Sequence, residues 1–258
     1  MPYPKDLLTN RSVIRRGEWA VIAPEGRVIN TVPGFVDCKL TILASPKLGA
    51  SFVQMVGTVG PKGATTLKYA SKAHEESFLY VLDGEGTLKI GVGGRHKTYT
   101  AGGYAYATAG TGIEFENANG KECRVLLYKQ RYIPHPDGRK PFDVIAHVSE
   151  LQWTDYGGMS DVHVKDLLPV DEAFDMNMHI LSFDPTGSHP FVETHVQEHG
   201  AYLTEGQGVY MMGDTDWIQV KCDDFMWFGP FTEQAVYATG RVPLTYIYSK
   251  DCNRDVDI

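Results

Sequence analysis

Apolar and polar positions along this chain alternate in short runs that end in turn residues, which is the pattern of strands with one face buried and one face open. Such runs cover Ser77 to Leu82, Thr87 to Gly91, Tyr104 to Ala107 and Val125 to Tyr128, and again His179 to Phe183, Ala201 to Thr204, Phe225 to Phe228 and Leu244 to Tyr248. Twenty-seven glycines and fourteen prolines supply the turns that so many strands require. Helical content is expected to be small and to lie mostly around Val144 to Leu151. The pattern predicts an all-β protein.

The strands come in two sets that repeat each other. Tyr80-Val-Leu-Asp-Gly84-Glu-Gly86 aligns with Tyr202-Leu-Thr-Glu-Gly206-Gln-Gly208, and Lys129 after one strand aligns with Lys250 after its counterpart. Two matched landmarks at nearly one offset point to a duplicated unit. Between the sets, Ile133 to Lys140 holds Pro134, Pro136 and Gly138, with Pro141 just beyond, and reads as an extended linker. The expected organisation is an N-terminal arm and barrel over residues 1–133, a linker over 134–160 and a second barrel over 161–258.

Composition narrows the class of ligand. The chain has 258 residues, 22% of them charged, with a net charge of -8. No Lys/Arg run is present to neutralise phosphates, so neither a nucleic acid nor an anionic membrane is an expected partner. The opening residues lack a continuous apolar core, and no later segment is apolar for the 18 or so residues of a span, so a cytoplasmic location is expected. Cys38, Cys123, Cys222 and Cys252 are scattered without a C-x-x-C pair and are read as free thiols.

The chemistry concentrates in Gly187-Ser-His-Pro-Phe-Val-Glu193-Thr-His195-Val-Gln-Glu-His199. On a strand, Glu193, His195 and His199 share a parity and point one way. Facing water they would be ordinary surface groups. Facing inward, a carboxylate and two imidazoles would be costly to bury unless something satisfied them, and a divalent transition metal would do so.

These features resemble the cupins, jelly-roll barrels whose first motif, G-x5-H-x-H-x3,4-E-x6-G, and second motif, G-x5-P-x-G-x2-H-x3-N, supply metal ligands. Gly187, Glu193, His195, His199 and Gly206 keep the first spacing with altered identities: glutamate stands in the first histidine's place, and histidine in the glutamate's. Counting the second motif from Asp223 through Gly229 and Phe231 brings its ligand slot to Gln234. The resemblance thus implies Glu193, His195, His199 and Gln234 as the metal set. Two oxygen donors make it harder than three histidines, which tilts the choice toward manganese, Mn2+. The corresponding slots of the first half fall on Ser71, Ala73, Ser77 and Ile113, none a good ligand. His74 and Glu76 lie close by but lack a second-motif partner.

The swapped set in a two-barrel chain is similar to the bicupin family of (S)-ureidoglycine aminohydrolases, with further likeness in Lys47-Leu-Gly-Ala-Ser-Phe52, Asp175 to Phe183 and Tyr246 to Asp255. This resemblance implies a manganese-dependent, homo-oligomeric hydrolase of purine and allantoin catabolism that replaces the α-amino group of its substrate by water. Lys250, at the same parity as Tyr246 and Tyr248, is assigned to the substrate carboxylate. Glu193 and Lys250 are the expected catalytic groups, and Tyr210, Tyr246 and Gln234 further substrate contacts. A cupin dioxygenase and a non-catalytic bicupin that binds a small ligand are the competing readings.

Overall fold

A computed structural model describes residues 10–250 and Arg254. Cys252 and most of the tail after Lys250 lie outside the described residues, as does the start of the chain before Asn10. The architecture is all-β, with helical structure among the described residues limited to the 3-10 turns Pro24–Gly26, Val148–Glu150 and Tyr156–Gly158. The alternating runs become strands: Ser77 to Leu82 lies within Glu75–Gly84, Val125 to Tyr128 within Cys123–Arg131, and Ala201 to Thr204 within His199–Glu205. The segment expected to be helical is instead the strand Val144–His147, followed by one 3-10 turn. It pairs antiparallel with Gly103–Ala107 at the edge of a sheet, and that edge supplies partners that suit the β-branched Val144 and Ile145 better than a short helix would.

The N-terminal half is built on a nine-stranded sheet that wraps around Leu40, Met55, Val59, Leu79, Val81, Ile90, Ile113 and Leu127. In the C-terminal half an eight-stranded sheet faces the three-stranded sheet of Gln207–Met212, Asp216–Lys221 and Gln234–Ala238. They enclose Leu181, Phe183, Ala201, Leu203, Tyr210, Val236 and Tyr246. Alternation along each strand decides which core a side chain joins. On Glu75–Gly84, Leu79 and Val81 point into their barrel while Phe78 and Tyr80 point out of it.

The outward faces meet in a third core between the halves. Phe52, Phe78, Tyr104, Tyr106 and Leu126 pack there against Phe174, Met178, Ile180, Tyr202, Phe225 and Trp227. At about 1.5 to 3 kcal/mol for each large side chain removed from water, this apolar seam fixes the two halves on each other.

The N-terminal arm crosses to the second barrel. Its strand Trp19–Ile22 pairs with Phe225–Phe228, in the register Trp19 to Phe228 and Ile22 to Phe225, and sends Trp19 and Val21 into the C-terminal core. Arg11 clasps the buried Asp224 with two bonds of 2.6 and 2.7 Å. The repeated turn glycines, Gly84 and Gly206, have φ of 104° and 74°. A side chain at Gly206 would also collide with the carbonyl of Pro243, so this turn requires glycine twice over.

Candidate metal and substrate site

The site opens at one end of the C-terminal barrel, and the segment that leads to it is not the single strand expected from the sequence. Regular pairing begins only at His199. Before it, Ser188 and Glu193 make isolated bridges to Tyr237 and Gln234. Pro190 has no N–H to give a ladder, and the backbone is satisfied by separated bonds instead. His189 N donates to Val236 O (3.1 Å), Glu193 and Gln234 exchange two bonds of 2.9 Å, and Phe231 N donates to His195 O (2.8 Å). Strand parity therefore does not orient Glu193 and His195; their backbone bonds to Gln234 and Phe231 do.

The two imidazoles are fixed by backbone carbonyls. His195 Nδ1 lies 3.0 Å from Gln197 O, and His199 Nδ1 lies 3.2 Å from Ser249 O. A carbonyl only accepts, so both rings carry their proton on Nδ1 and leave a lone pair on Nε2. The two Nε2 atoms face each other at 3.1 Å, and the Gln234 amide lies 3.1 Å from His195 Nε2. Burial, helped by the Lys250 charge, pushes the His195 pKa down and that of His199 well below the usual range, which keeps both rings neutral.

Two lone pairs opposed at this distance repel unless a cation lies between them. Ligands at right angles on a metal with bonds of about 2.0 to 2.1 Å sit about 3 Å apart, and a half-turn of the Gln234 amide presents Oε1 in place of nitrogen. The donor set fits a divalent metal. Among the described residues no three His, Cys, Asp or Glu side chains gather as a metal group by themselves, so the fit depends on the Gln234 oxygen. Glu193 lines the same pocket, with its carboxylate 3.8 Å from His189 Nδ1. Burial raises its pKa and Lys250 opposes the rise.

Lys250 ends the strand Leu244–Lys250 and lines the pocket together with Glu193, His199, Gln234, Tyr210 and Tyr246. It also lines a cleft of about 780 Å³ between the two halves. The Tyr210 and Tyr246 hydroxyls bond to each other at 2.9 Å, and burial raises the pKa of both. All seven residues singled out from the sequence thus lie at one end of this barrel.

His189 is the residue that sequence reasoning missed. It is 4% exposed, lines the pocket, and neither ring nitrogen has a hydrogen-bond partner among the described residues. Burial first, and Lys250 second, lowers its pKa to about 4. The available signal was its place two residues after Gly187, within the same polar stretch.

The matching slots of the first barrel hold no such set. Ser71 and Ala73 are exposed, Ile113 is packed in its apolar core, and Ser77 is buried. Glu76 faces the seam between the halves, bonded to Tyr106 and Gln130. Lys129, the counterpart of Lys250, lies 3.5 Å from Glu75.

Two jelly-roll barrels, the second carrying Glu193, His195, His199 and Gln234 at one end, define a bicupin. No family model matches the chain. It is 46% identical to the (S)-ureidoglycine aminohydrolase of Escherichia coli (strain K12) over 257 residues, 99% of this chain and 97% of that protein. A crystal structure of protein Ylba from E. coli superposes with a TM-score of 0.86 at 42% identity, covering 100% of each chain. The Lactobacillus farciminis oxalate decarboxylase shares the fold alone, with a TM-score of 0.68 at 13% identity over 92% of this chain and 87% of that one. The chain belongs to the (S)-ureidoglycine aminohydrolase family.

Proposed function

We propose that this chain hydrolyses (S)-ureidoglycine to (S)-ureidoglycolate and ammonia in purine catabolism, with a manganese ion held by Glu193, His195, His199 and Gln234. The observation that carries the reading is the 46% identity across nearly the whole of both chains. The opposed Nε2 lone pairs support the metal. In the reaction the bond from the α-carbon to the amine breaks, a bond from water oxygen to that carbon forms, and one water proton leaves with the amine as ammonia.

The metal, when bound, supplies Lewis acidity beside the reacting carbon and acidifies water. The chain's own groups do the rest. Lys250 Nζ holds the substrate carboxylate by a charge-assisted hydrogen bond and so turns the α-carbon toward the histidines. The Glu193 carboxylate, lining the same pocket, moves protons between water and the departing amine. Tyr210 and Tyr246 close the inner wall with hydroxyls already paired, and together with Phe228 and Leu181 they keep bulk water from the back of the pocket.

Two measurements test this. Purified protein assayed with (S)-ureidoglycine should release ammonia without taking up oxygen; oxygen uptake without ammonia would favour a dioxygenase. Elemental analysis should find one manganese per chain, lost together with activity in His199→Ala and retained in Ser77→Ala. Two metals per chain, or activity that survives metal removal, would defeat the assignment.

A further inference from the structure

The sequence motif Lys47-Leu-Gly-Ala-Ser-Phe52 has no part in the chemistry above, yet it touches the segment that carries the ligands. Ser51 N lies 3.0 Å from both carboxylate oxygens of Glu198, and Ser51 Oγ donates to Oε2 at 2.6 Å. The buried Trp227 Nε1 donates to Oε1 at 2.5 Å. Gly49, in the same turn, has φ of 127°, and a side chain there would strike the Trp227 ring at 2.9 Å. The first barrel thus delivers a backbone and a hydroxyl donor to one carboxylate of the second.

That carboxylate sits at a decisive place. Glu198 lies between Gln197, whose carbonyl fixes the His195 ring, and His199, a ligand itself. The residues before it are irregular and held by isolated bridges and separated bonds, so the ladder does not set their position until His199. Three donors from two different elements converge on the Glu198 side chain just where regular pairing begins.

We infer that Glu198 and Ser51 are positioning residues for the metal site, and that the first barrel acts in the enzyme by clamping the ligand segment through them. The inference rests on the metal reading proposed above. Charge-assisted bonds to a carboxylate are the stronger class, and partners that orient ligands from behind typically change metal affinity by about 10- to 100-fold when removed.

The test is a titration of chelator-stripped protein with manganese(II), followed by calorimetry and by the electron paramagnetic resonance of the bound ion, well below every variant's melting temperature. Glu198→Ala should bind about 10- to 100-fold more weakly than wild type. Ser51→Ala should weaken binding in the same direction, and the double variant should be no weaker than Glu198→Ala alone. Glu198→Gln, which keeps the shape and one acceptor, should fall between and serves if the alanine variant does not fold. Tyr106→Phe disturbs the same seam away from the ligand segment and should bind as wild type does. Unchanged affinity in the Glu198 variants overturns the inference alone, and so does an equal loss in Tyr106→Phe, which would mark a general effect of instability. Wild type that takes up no manganese overturns the metal reading and the inference with it.

Discussion

Tyr246→Phe removes one oxygen from a buried hydroxyl pair, and its consequence can be worked out from the geometry. The pair is 2.9 Å apart, with Tyr210 and Tyr246 only 1% and 5% exposed. Deleting one hydroxyl leaves the other buried without its partner, which costs about 1 to 3 kcal/mol, whereas replacing both groups is close to neutral. For a chain of this size each kcal/mol shifts the melting temperature by about 2 to 4 °C. Tyr210→Phe and Tyr246→Phe should therefore each melt several degrees below wild type, and the double variant should recover most of the loss. Calorimetric scans of the four proteins in chelator give the cycle, and the expected coupling is about 0.5 to 3 kcal/mol. Strictly additive losses in the double variant would refute the claim that the hydroxyls satisfy each other.

Lys250→Met keeps the stem and removes the charge, so substrate binding should weaken by about 1.5 to 3 kcal/mol, read as a KM about ten- to a hundred-fold higher with manganese content unchanged. Kinetics equal to wild type would remove Lys250 from the pocket's function. Glu76 lies in the seam, where burial and then Asp175 raise its pKa well above the usual carboxylate range. The native state therefore holds its proton at pH values where the unfolded chain has lost it, so stability falls as pH rises from about 4.3 through the raised native value. Glu76→Gln should flatten that fall in thermal scans, and an unchanged pH profile would show that Glu76 does not cause it. Gly200→Ala would press a methyl onto Gln54 and the Phe52 ring in the same seam. It should destabilise by about 1 to 3 kcal/mol in urea unfolding, and a neutral result would mean the halves can part there.

The duplicated barrels are legible in the sequence because they are local: each strand alternates, and each repeat marks its turn with a glycine that the backbone requires at Gly84 and Gly206. The spacing from Gly187 to His199 likewise singles out side chains that lie at one pocket. What it misjudges is the route, since parity assumes a strand while Pro190 and the single bridges of Ser188 and Glu193 make an irregular segment. His189 escapes notice because a template of ligand spacings has no slot for it. Val144 to Leu151 and the Ser51 to Glu198 clamp escape for a different reason. Their partners, Gly103–Ala107 in one case and the turn before Phe52 in the other, are distant in the chain, and pairing of that kind leaves no local period to read.

The pairing of Trp19–Ile22 with Phe225–Phe228 also governs the order in which the molecule can be completed. During synthesis Trp19–Ile22 emerges some two hundred residues ahead of Phe225–Phe228, so it must wait with only Val13–Arg15 beside it and its other edge open. Until then the second barrel lacks part of its lining, and the waiting strand offers a free edge to any neighbouring chain. Closing so long a loop is slow relative to local pairing. The newborn protein is thus most exposed to misassembly just before its ligand-bearing barrel closes.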